Sequence, residues 1–365
     1  MASFSSLGQA SSMNWFKTRQ RSNKTLWIHA GPHKTASTYI IKNLRKNRAA
    51  LKKKGVLISK DNIEDSHHLI HKNWDFYNQK IKSIPKNIDH YLLSRETLHT
   101  RIVRPSFFEP LIDIASRHGF RLGLIFVLRD QADWINSMFA HRIRCFQEKG
   151  SFNHYRKAIQ NRSWFRGVNY SAKFEAITNH PEIETVFIPL SNRASITDPF
   201  LALMAALNLE IPPDHWSLIE AGESNIQPGN KAIWLSEICR NIMINHNIDL
   251  KNLKGKAQAI RNIAIEHEWQ QDRYYAFTPL QYQKTRNFYA KSNATFALNH
   301  WGCDWQSLFP DRHLTTQSIY NGPRSKQERQ LMLTVLLQAL KEMNLPNDYR
   351  PVVRKAFRKE CRRLT

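Results

Sequence analysis

Five short apolar runs are spaced along the first 190 residues, and each ends at polar residues, at a glycine or at a proline. The run RLGLIFVLRD is the most continuously apolar, which is typical of a strand whose two faces are both covered by helices. The pattern therefore predicts five β-strands, at residues 25–30 (TLWIHA), 55–59 (GVLIS), 90–96 (HYLLSRE), 121–130 (RLGLIFVLRD) and 184–190 (ETVFIPL).

Helical periodicity follows the first run, because Ile40, Ile41 and Leu44 recur at the spacing of a helix face. Strands that alternate with helices predict right-handed crossovers and a mostly parallel sheet, with ligands bound beyond the carboxyl ends of its strands. The expected fold class is α/β. The expected organisation is a flexible N-terminal arm at 1–23, an α/β domain at 24–312 and a helical, basic C-terminal extension at 313–365.

The composition adds a strong positive charge to this picture. The net charge of +24 favours anionic partners such as phosphates, acidic sugars, nucleic acid or lipid headgroups, although a solvated basic surface would carry the same charge. The basic run at 353–364 could likewise contact a membrane surface or an anionic glycan, or be solvated. Four widely separated cysteines argue against a zinc site or a disulfide framework. No run approaches the roughly 20 apolar residues of a membrane span, so we expect a cytoplasmic protein.

A candidate anion-binding loop lies between the first strand and the first helix, where residues 31–38 read GPHKTAST. Backbone N–H groups and the helix dipole favour an anion at such a position. Lys34 adds a full charge, and Ser37 and Thr38 add hydroxyl groups. The loop differs from the nucleotide-triphosphate pattern GxxxxGK[ST], and a helix start capped by Ser or Thr is the alternative interpretation.

A second candidate site follows the fourth predicted strand, in VLRDQADWINSMF. Ser137 comes eight residues after Arg129, a little over two helical turns, so the two side chains share roughly one face. The planar guanidinium of Arg129 suits phosphate oxygens. The alternative is a surface ion pair between Arg129 and Asp130 or Asp133.

Together these two segments resemble the donor-binding signatures of the sulfotransferase family, which uses 3′-phosphoadenosine 5′-phosphosulfate (PAPS). PHKTAST is similar to the family's 5′-phosphosulfate loop, PKxGTT, and Arg129 with Ser137 matches its 3′-phosphate grip. Weaker likeness to bacterial members, in HYLLSRETL and FYAKSNATFALNHWG among other segments, extends over roughly residues 25–310. The resemblance implies a three-layer, P-loop-like fold and a donor that needs no metal. It also implies donor contacts from His33, Lys34, Thr35, Ala36, Ser37, Thr38, Arg129 and Ser137.

The loop departs from the family pattern at Ala36, where the family has glycine. If this position needs a positive φ, alanine is strained there. His33 is a second variation.

The resemblance also implies an activity, the transfer of a sulfuryl group to an acceptor hydroxyl, with a carbohydrate or glycolipid as the expected acceptor. Lys34 is the candidate for the charge at the leaving phosphate. Glu96, at the end of the third predicted strand, matches the glutamate base of some carbohydrate sulfotransferases, and an ion pair with a nearby arginine is its alternative role.

Histidines are the competing candidates for the base. His67 and His68 are candidate bases or acceptor-binding residues, since an imidazole titrates near neutral pH. His99 is a weaker candidate, and His29, inside the first strand, fits a core residue.

Two other functions remain open from the sequence. A P-loop kinase would need magnesium and would not need a 3′-phosphate on its donor. A basic nucleic-acid-binding protein fits the charge, but no recognition motif for nucleic acid is present.

Overall fold

The computed structural model contains a five-stranded parallel β-sheet, as the apolar runs predict. Its strands are β1 (Thr25–His29), β2 (Val56–Ile58), β3 (His90–Ser94), β4 (Arg121–Leu128) and β5 (Ile183–Pro189). The predicted arm at 1–23 lies outside the described residues. Those residues are 24–60, 62–163, 167–191, 198–209, 215–219, 227–248, 258–312 and 320–363.

The order of the strands is β2-β3-β1-β4-β5, with all neighbours parallel. The chain leaves β1 toward β2 and β3 on one side of the sheet, whereas it leaves β4 toward β5 on the other side. The connections after β1 and β4 therefore diverge, and this opens a crevice beyond the carboxyl ends of these two adjacent strands. Ligands of open α/β sheets bind at such a point.

Helices connect the strands and cover them. The first nine are α1 (Ser37–Lys46), α2 (Arg48–Lys53), α3 (Asn62–Ile70), α4 (Trp74–Lys82), α5 (Pro105–Arg117), α6 (Gln131–Arg144), α7 (Phe152–Gln160), α8 (Tyr170–Thr178) and α9 (Pro199–Ala206). The helices that follow are α10 (Asn230–Asn245), α11 (Gln258–Glu266), α12 (Pro279–Trp301), α13 (Trp305–Leu308), α14 (Lys326–Glu342) and α15 (Tyr349–Arg363).

Alternation along the strands separates two hydrophobic cores, one on each face of the sheet. Trp27 packs on the face covered by α1, α2 and α9. Leu26 and Ile28 point to the opposite face, which α3–α8, α12 and α13 cover. The sheet is thus the middle of three layers, which explains why β4 is apolar at almost every position.

A third core joins α10 and α11 with α14 and α15, the helices of the predicted C-terminal extension. In α15 the buried residues Val353, Phe357 and Cys361 recur every fourth position, and the arginines and lysines between them are exposed. The basic residues between positions 353 and 362 therefore form the outer face of a packed helix. Among the described residues, no helix combines the length and the apolar character needed to cross a membrane.

Candidate functional site

The loop after β1 occupies the crevice between the diverging connections and is anchored on both sides. The backbone N–H of Ala30 donates to the carbonyl of Ile125 on β4 (2.9 Å), and the indole N–H of Trp134 on α6 donates to the carbonyl of His33 (2.8 Å). Inside the loop, the buried Thr35 hydroxyl donates to the carbonyl of Pro32 (2.6 Å). These bonds tie the loop to β4 and α6 and close its turn.

Two residues of the loop have left-handed backbone conformations. Lys34 has φ 68°, and Ala36 has φ 61° and ψ 10° as the residue that precedes α1. Alternation between left-handed and right-handed residues turns successive N–H groups toward one side, which is the backbone arrangement of anion-binding nests. The condition for strain at Ala36 is therefore met, since an alanine occupies a position that favours glycine.

Polar side chains surround Gly31 closely. A Cβ atom at this position would lie 2.9 Å from Thr35 Oγ1, 3.2 Å from Ser37 Oγ and 3.3 Å from His29 Nε2. Among the described residues, His29 Nε2 has no hydrogen-bond partner, whereas His29 Nδ1 lies 2.7 Å from Ser94 Oγ. Burial lowers the pKa of His29 to about 4. His29 is thus a neutral core residue, as the sequence indicates, but only one of its nitrogens is paired.

The carboxyl end of β3 brings Glu96 to the loop. The N–H of Arg95 continues the sheet pairing by donating to the carbonyl of His29 (2.9 Å), and Glu96 comes next. Its Oε2 lies 2.7 Å from Nδ1 of His33. Burial acts to raise the pKa of Glu96, but the hydrogen bond and charge of His33, together with the charge of Lys34, outweigh it and lower this pKa. Glu96 is therefore an ionised partner of His33.

His99 lies against this pair and is neutral. Its Nδ1 is 2.8 Å from the carbonyl oxygen of Glu96, so this nitrogen carries the proton, and its ring meets that of His33 edge-on at 6.1 Å. Burial and the nearby charge of Lys173 lower the pKa of His99 to about 3. His99 supports the turn that carries Glu96.

Arg129 and Ser137 lie beyond β4, on the neighbouring side of the crevice. The hydroxyl of Tyr170 donates to the carbonyl of Arg129 (2.8 Å) and fixes its backbone. Ser137 is half-buried and comes one turn after Trp134, whose indole bonds the loop, so this face of α6 is turned to the loop.

The carboxylates next to Arg129 are engaged elsewhere. Asp130 pairs with Arg286 (3.1 Å) and caps α6, and Asp133 pairs with Arg312 (2.6 Å). The alternative interpretation paired Arg129 with Asp130 or Asp133, but these carboxylates pair with Arg286 and Arg312.

His67 and His68 lie outside this arrangement, on α3. The ring of His67 packs against His71 at 4.3 Å, and the ring of His68 stacks on Phe76 at 3.8 Å. The structure places Glu96, His33 and His99 together at the loop, and His67 and His68 in a separate aromatic cluster.

Sequence reasoning missed a group of basic side chains beside Lys34. Burial and the charge of Arg144 lower the pKa of Lys34 to about 8, although Glu96 and Cys145 act in the opposite direction. Nδ1 of His141 lies 2.9 Å from Arg144, and burial with the charges of Lys34 and Arg144 lowers the pKa of His141 to about 3. Helical spacing could have found the two residues on α6, because Ser137, His141 and Arg144 recur at intervals of four and three.

The sequence reasoning also missed Lys173. Its side chain is only 2% exposed, and burial lowers its pKa to about 7. It interrupts the apolar stripe of α8 formed by Tyr170, Phe174 and Ile177, and this lysine among apolar positions is the signal that could have marked it.

Comparison of the chain with protein-family models, with curated proteins and with solved structures found no match. Within the part of the chain that the structure describes, no group of three or more His, Cys, Asp or Glu side chains is arranged to hold a metal ion. We therefore infer the function from the geometry of the loop and its neighbours.

Proposed function

We propose that the protein is a sulfotransferase that transfers a sulfuryl group from PAPS to a hydroxyl group of a carbohydrate or glycolipid. The observation that carries this proposal is that two candidate phosphate-binding segments lie at one crevice. The loop with Lys34 follows β1, and Arg129 with Ser137 follows the adjacent strand β4. Two separate phosphate-binding sites suit a nucleotide that carries phosphate groups at both its 5′ and 3′ positions.

The residues at the crevice fit such a donor. The backbone turns at Lys34 and Ala36 and the start of α1 offer N–H groups to a phosphate. The neighbouring carboxylates Asp130 and Asp133 are paired with other arginines, so the guanidinium of Arg129 is available for the 3′-phosphate. The strand order, in which β1 lies between β3 and β4, also agrees with a P-loop-like fold.

Bound PAPS would supply an activated sulfuryl group whose transfer breaks the bond between sulfur and the bridging phosphate oxygen. Lys34 would place its charge at that oxygen, where negative charge develops. This role needs a protonated amine, and a pKa of about 8 leaves Lys34 mostly protonated at neutral pH.

The acceptor proton would go to the pair formed by His33 and Glu96. If Nδ1–H of His33 donates to the Glu96 carboxylate, Nε2 of His33 is left with a lone pair that can take the proton of the hydroxyl. Glu96 by itself is a weak base, because its hydrogen bond with His33 and the charge of Lys34 lower its pKa. The Glu96 carboxylate would orient His33 and stabilise the imidazolium that forms, and the new oxygen–sulfur bond would form as the proton leaves.

Calorimetry tests this proposal. Adenosine 3′,5′-bisphosphate, the product that the donor leaves, should bind the protein without a divalent metal. Arg129→Gln should weaken this binding roughly tenfold or more, since a hydrogen bond to a charged group contributes about 1.5–3 kcal/mol. Adenosine 5′-phosphosulfate, which lacks the 3′-phosphate, should bind both proteins equally.

Arg117→Gln is a matched control, because Arg117 is an exposed residue in the last turn of α5, away from the crevice. Binding of ATP with magnesium in place of the bisphosphate would favour a kinase and refute the proposal. If Arg129→Gln weakened the binding of adenosine 3′,5′-bisphosphate and of adenosine 5′-phosphosulfate equally, the role of Arg129 would be refuted.

A further inference from the structure

The outer face of α12 carries three large apolar side chains that are more than half exposed. Leu280 is 65% exposed, Phe288 58% and Leu298 68%. Single exposed apolar residues are normal on a protein surface, whereas several on one helix mark an interaction face. Among the described residues, the other exposed large apolar side chains lie singly on α3, α10 and α14, at Ile63, Ile244 and Leu331.

Helical geometry gathers these side chains on one face together with two lysines. Residues 280 and 298 are separated by about five turns, so Leu280 and Leu298 lie on one line along the helix, about 27 Å apart. Lys284 and Lys291 follow Leu280 by about one and about three turns, so they lie close to the same line, and both are exposed. Phe288 lies roughly 80° to one side of it.

The opposite face of α12 packs in the core of the domain. Tyr282, Tyr289 and Phe296 are buried there. A helix that only covers a sheet needs one apolar face, with polar residues on the other. Packing within the described part of the chain therefore does not account for the apolar side chains on the outer face.

The outer face of α12 is also positively charged. The helix contains no Asp or Glu, and its exposed lysines are Lys284 and Lys291. Its arginine, Arg286, is buried and paired with carboxylates. The neighbouring helix α8 has one acid, Glu175, which is exposed, and the exposed Asp304 follows the C-terminal end of α12. Acids therefore lie beside this face or beyond its end, and the face itself carries only positive charge.

A partner for this face must accept apolar side chains and balance positive charge. A second copy of the chain would bring lysines against lysines in a two-fold interface, and the net charge of +24 adds to the repulsion. A phosphate backbone of nucleic acid offers charge but no apolar surroundings. The headgroup region of an anionic membrane offers both, because Leu and Phe enter its boundary with the acyl chains while lysines reach the phosphates.

We propose that the outer face of α12, formed by Leu280, Lys284, Phe288, Lys291 and Leu298, docks on a lipid surface that contains anionic headgroups. The helix would lie parallel to that surface while its inner face stays in the core. This inference goes beyond the proposed function and does not depend on it. It also differs from a purely cationic contact by α15, whose apolar residues are buried.

Sedimentation of the full chain with vesicles tests this proposal. The protein should bind vesicles of phosphatidylcholine and phosphatidylglycerol in equal parts, and should bind vesicles of phosphatidylcholine alone much more weakly. The double variant Phe288→Ser, Leu298→Ser should weaken binding to the anionic vesicles roughly tenfold or more, because removal of large apolar side chains from water favours binding. Replacement of Lys284 or Lys291 by Gln should weaken it roughly fivefold for each lysine.

Ile63→Ser is the matched control. Ile63 is 60% exposed, but it lies on α3 next to Glu64. This variant loses an exposed apolar side chain of similar size and should bind the vesicles like the wild type. If the double variant does not fold, Leu280→Ser, in the first turn of α12, should weaken vesicle binding in the same direction.

Several outcomes would overturn the proposal. Binding of the double variant at the wild-type level would show that charge alone attracts the protein to lipid. An equal loss in Ile63→Ser would remove the special role of α12, and absence of wild-type binding to the anionic vesicles would refute the docking face. If analytical ultracentrifugation showed a wild-type dimer that the double variant dissociates, the face would be an interface between two copies of the chain.

Discussion

Replacement of Ala36 by glycine should stabilise the protein, because Ala36 has φ 61° and ψ 10° at the junction of the loop and α1. A left-handed conformation costs a residue with a Cβ atom about 1–2 kcal/mol. Glycine gains about 0.4–1 kcal/mol of conformational freedom in the unfolded chain, which opposes the benefit. Loss of the half-buried methyl group, which packs against the core beneath α1, α2 and α9, costs up to about 0.4 kcal/mol. The net expectation is a gain of about 0.5 kcal/mol in the free energy of unfolding.

The control for this prediction is Ala294→Gly, at an exposed position in the middle of α12. There the backbone is right-handed, and glycine should cost about 1 kcal/mol. Urea denaturation of the two variants should therefore differ by about 1.5 kcal/mol, with unchanged dependence on urea concentration. Equal destabilisation by the two glycines would show that Ala36 bears no strain and would refute the reasoning.

Three further predictions concern other buried groups. Glu96→Gln should reduce turnover roughly 100-fold or more, because the amide cannot stabilise a protonated His33. The affinity for the bisphosphate should stay unchanged. Steady-state rates near those of the wild type would exclude His33 with Glu96 as the base. Burial lowers the pKa of Lys173 from 10.5 to about 7. Between pH 7 and 10.5 the unfolded chain therefore binds more protons than the folded protein, and the free energy of unfolding rises with pH by at most about 1.4 kcal/mol per pH unit. Lys173→Met should therefore be more stable than the wild type in urea, with a larger difference at pH 6 than at pH 9, and a constant difference would contradict this. Gly123→Ala should cost about 1–3 kcal/mol in the same assay, because the added Cβ would lie 2.2 Å from the ring of Trp27, and a neutral effect would show that Trp27 can shift.

The apolar runs were sufficient to predict the strands because burial between two helical layers demands apolar residues on both faces of a strand. All five predicted strands are present, and their parallel arrangement follows from the helices between them. The loop at 31–38 and the polar ends of β3 and β4 could be located for the same reason, since parallel strands end at one edge. Left-handed geometry at Ala36 could be anticipated only through the resemblance to a glycine-containing loop.

Contacts within the site could not be read from the chain, because they join residues whose distance depends on strand order. His33 and Glu96 are 63 positions apart and meet because β3 pairs with β1. The charge of Arg144 acts on Lys34 because α6, after β4, packs against the loop through Trp134. Local patterns also placed His67 and His68 among the candidates, whereas the fold sets them in another cluster.

The sequence by itself determined the α/β architecture, because this depends on short-range patterns of burial. The two segments of the candidate donor site were predicted from their resemblance to the motifs of a known family. Tertiary structure alone decided which groups act on each other. Strand pairing placed Glu96 against His33, and burial beside Arg144 lowered the pKa of Lys34 to about 8. The physical reason is that hydrogen bonding and desolvation depend on distance and on exclusion of water, and both are properties of the folded sheet and its helices.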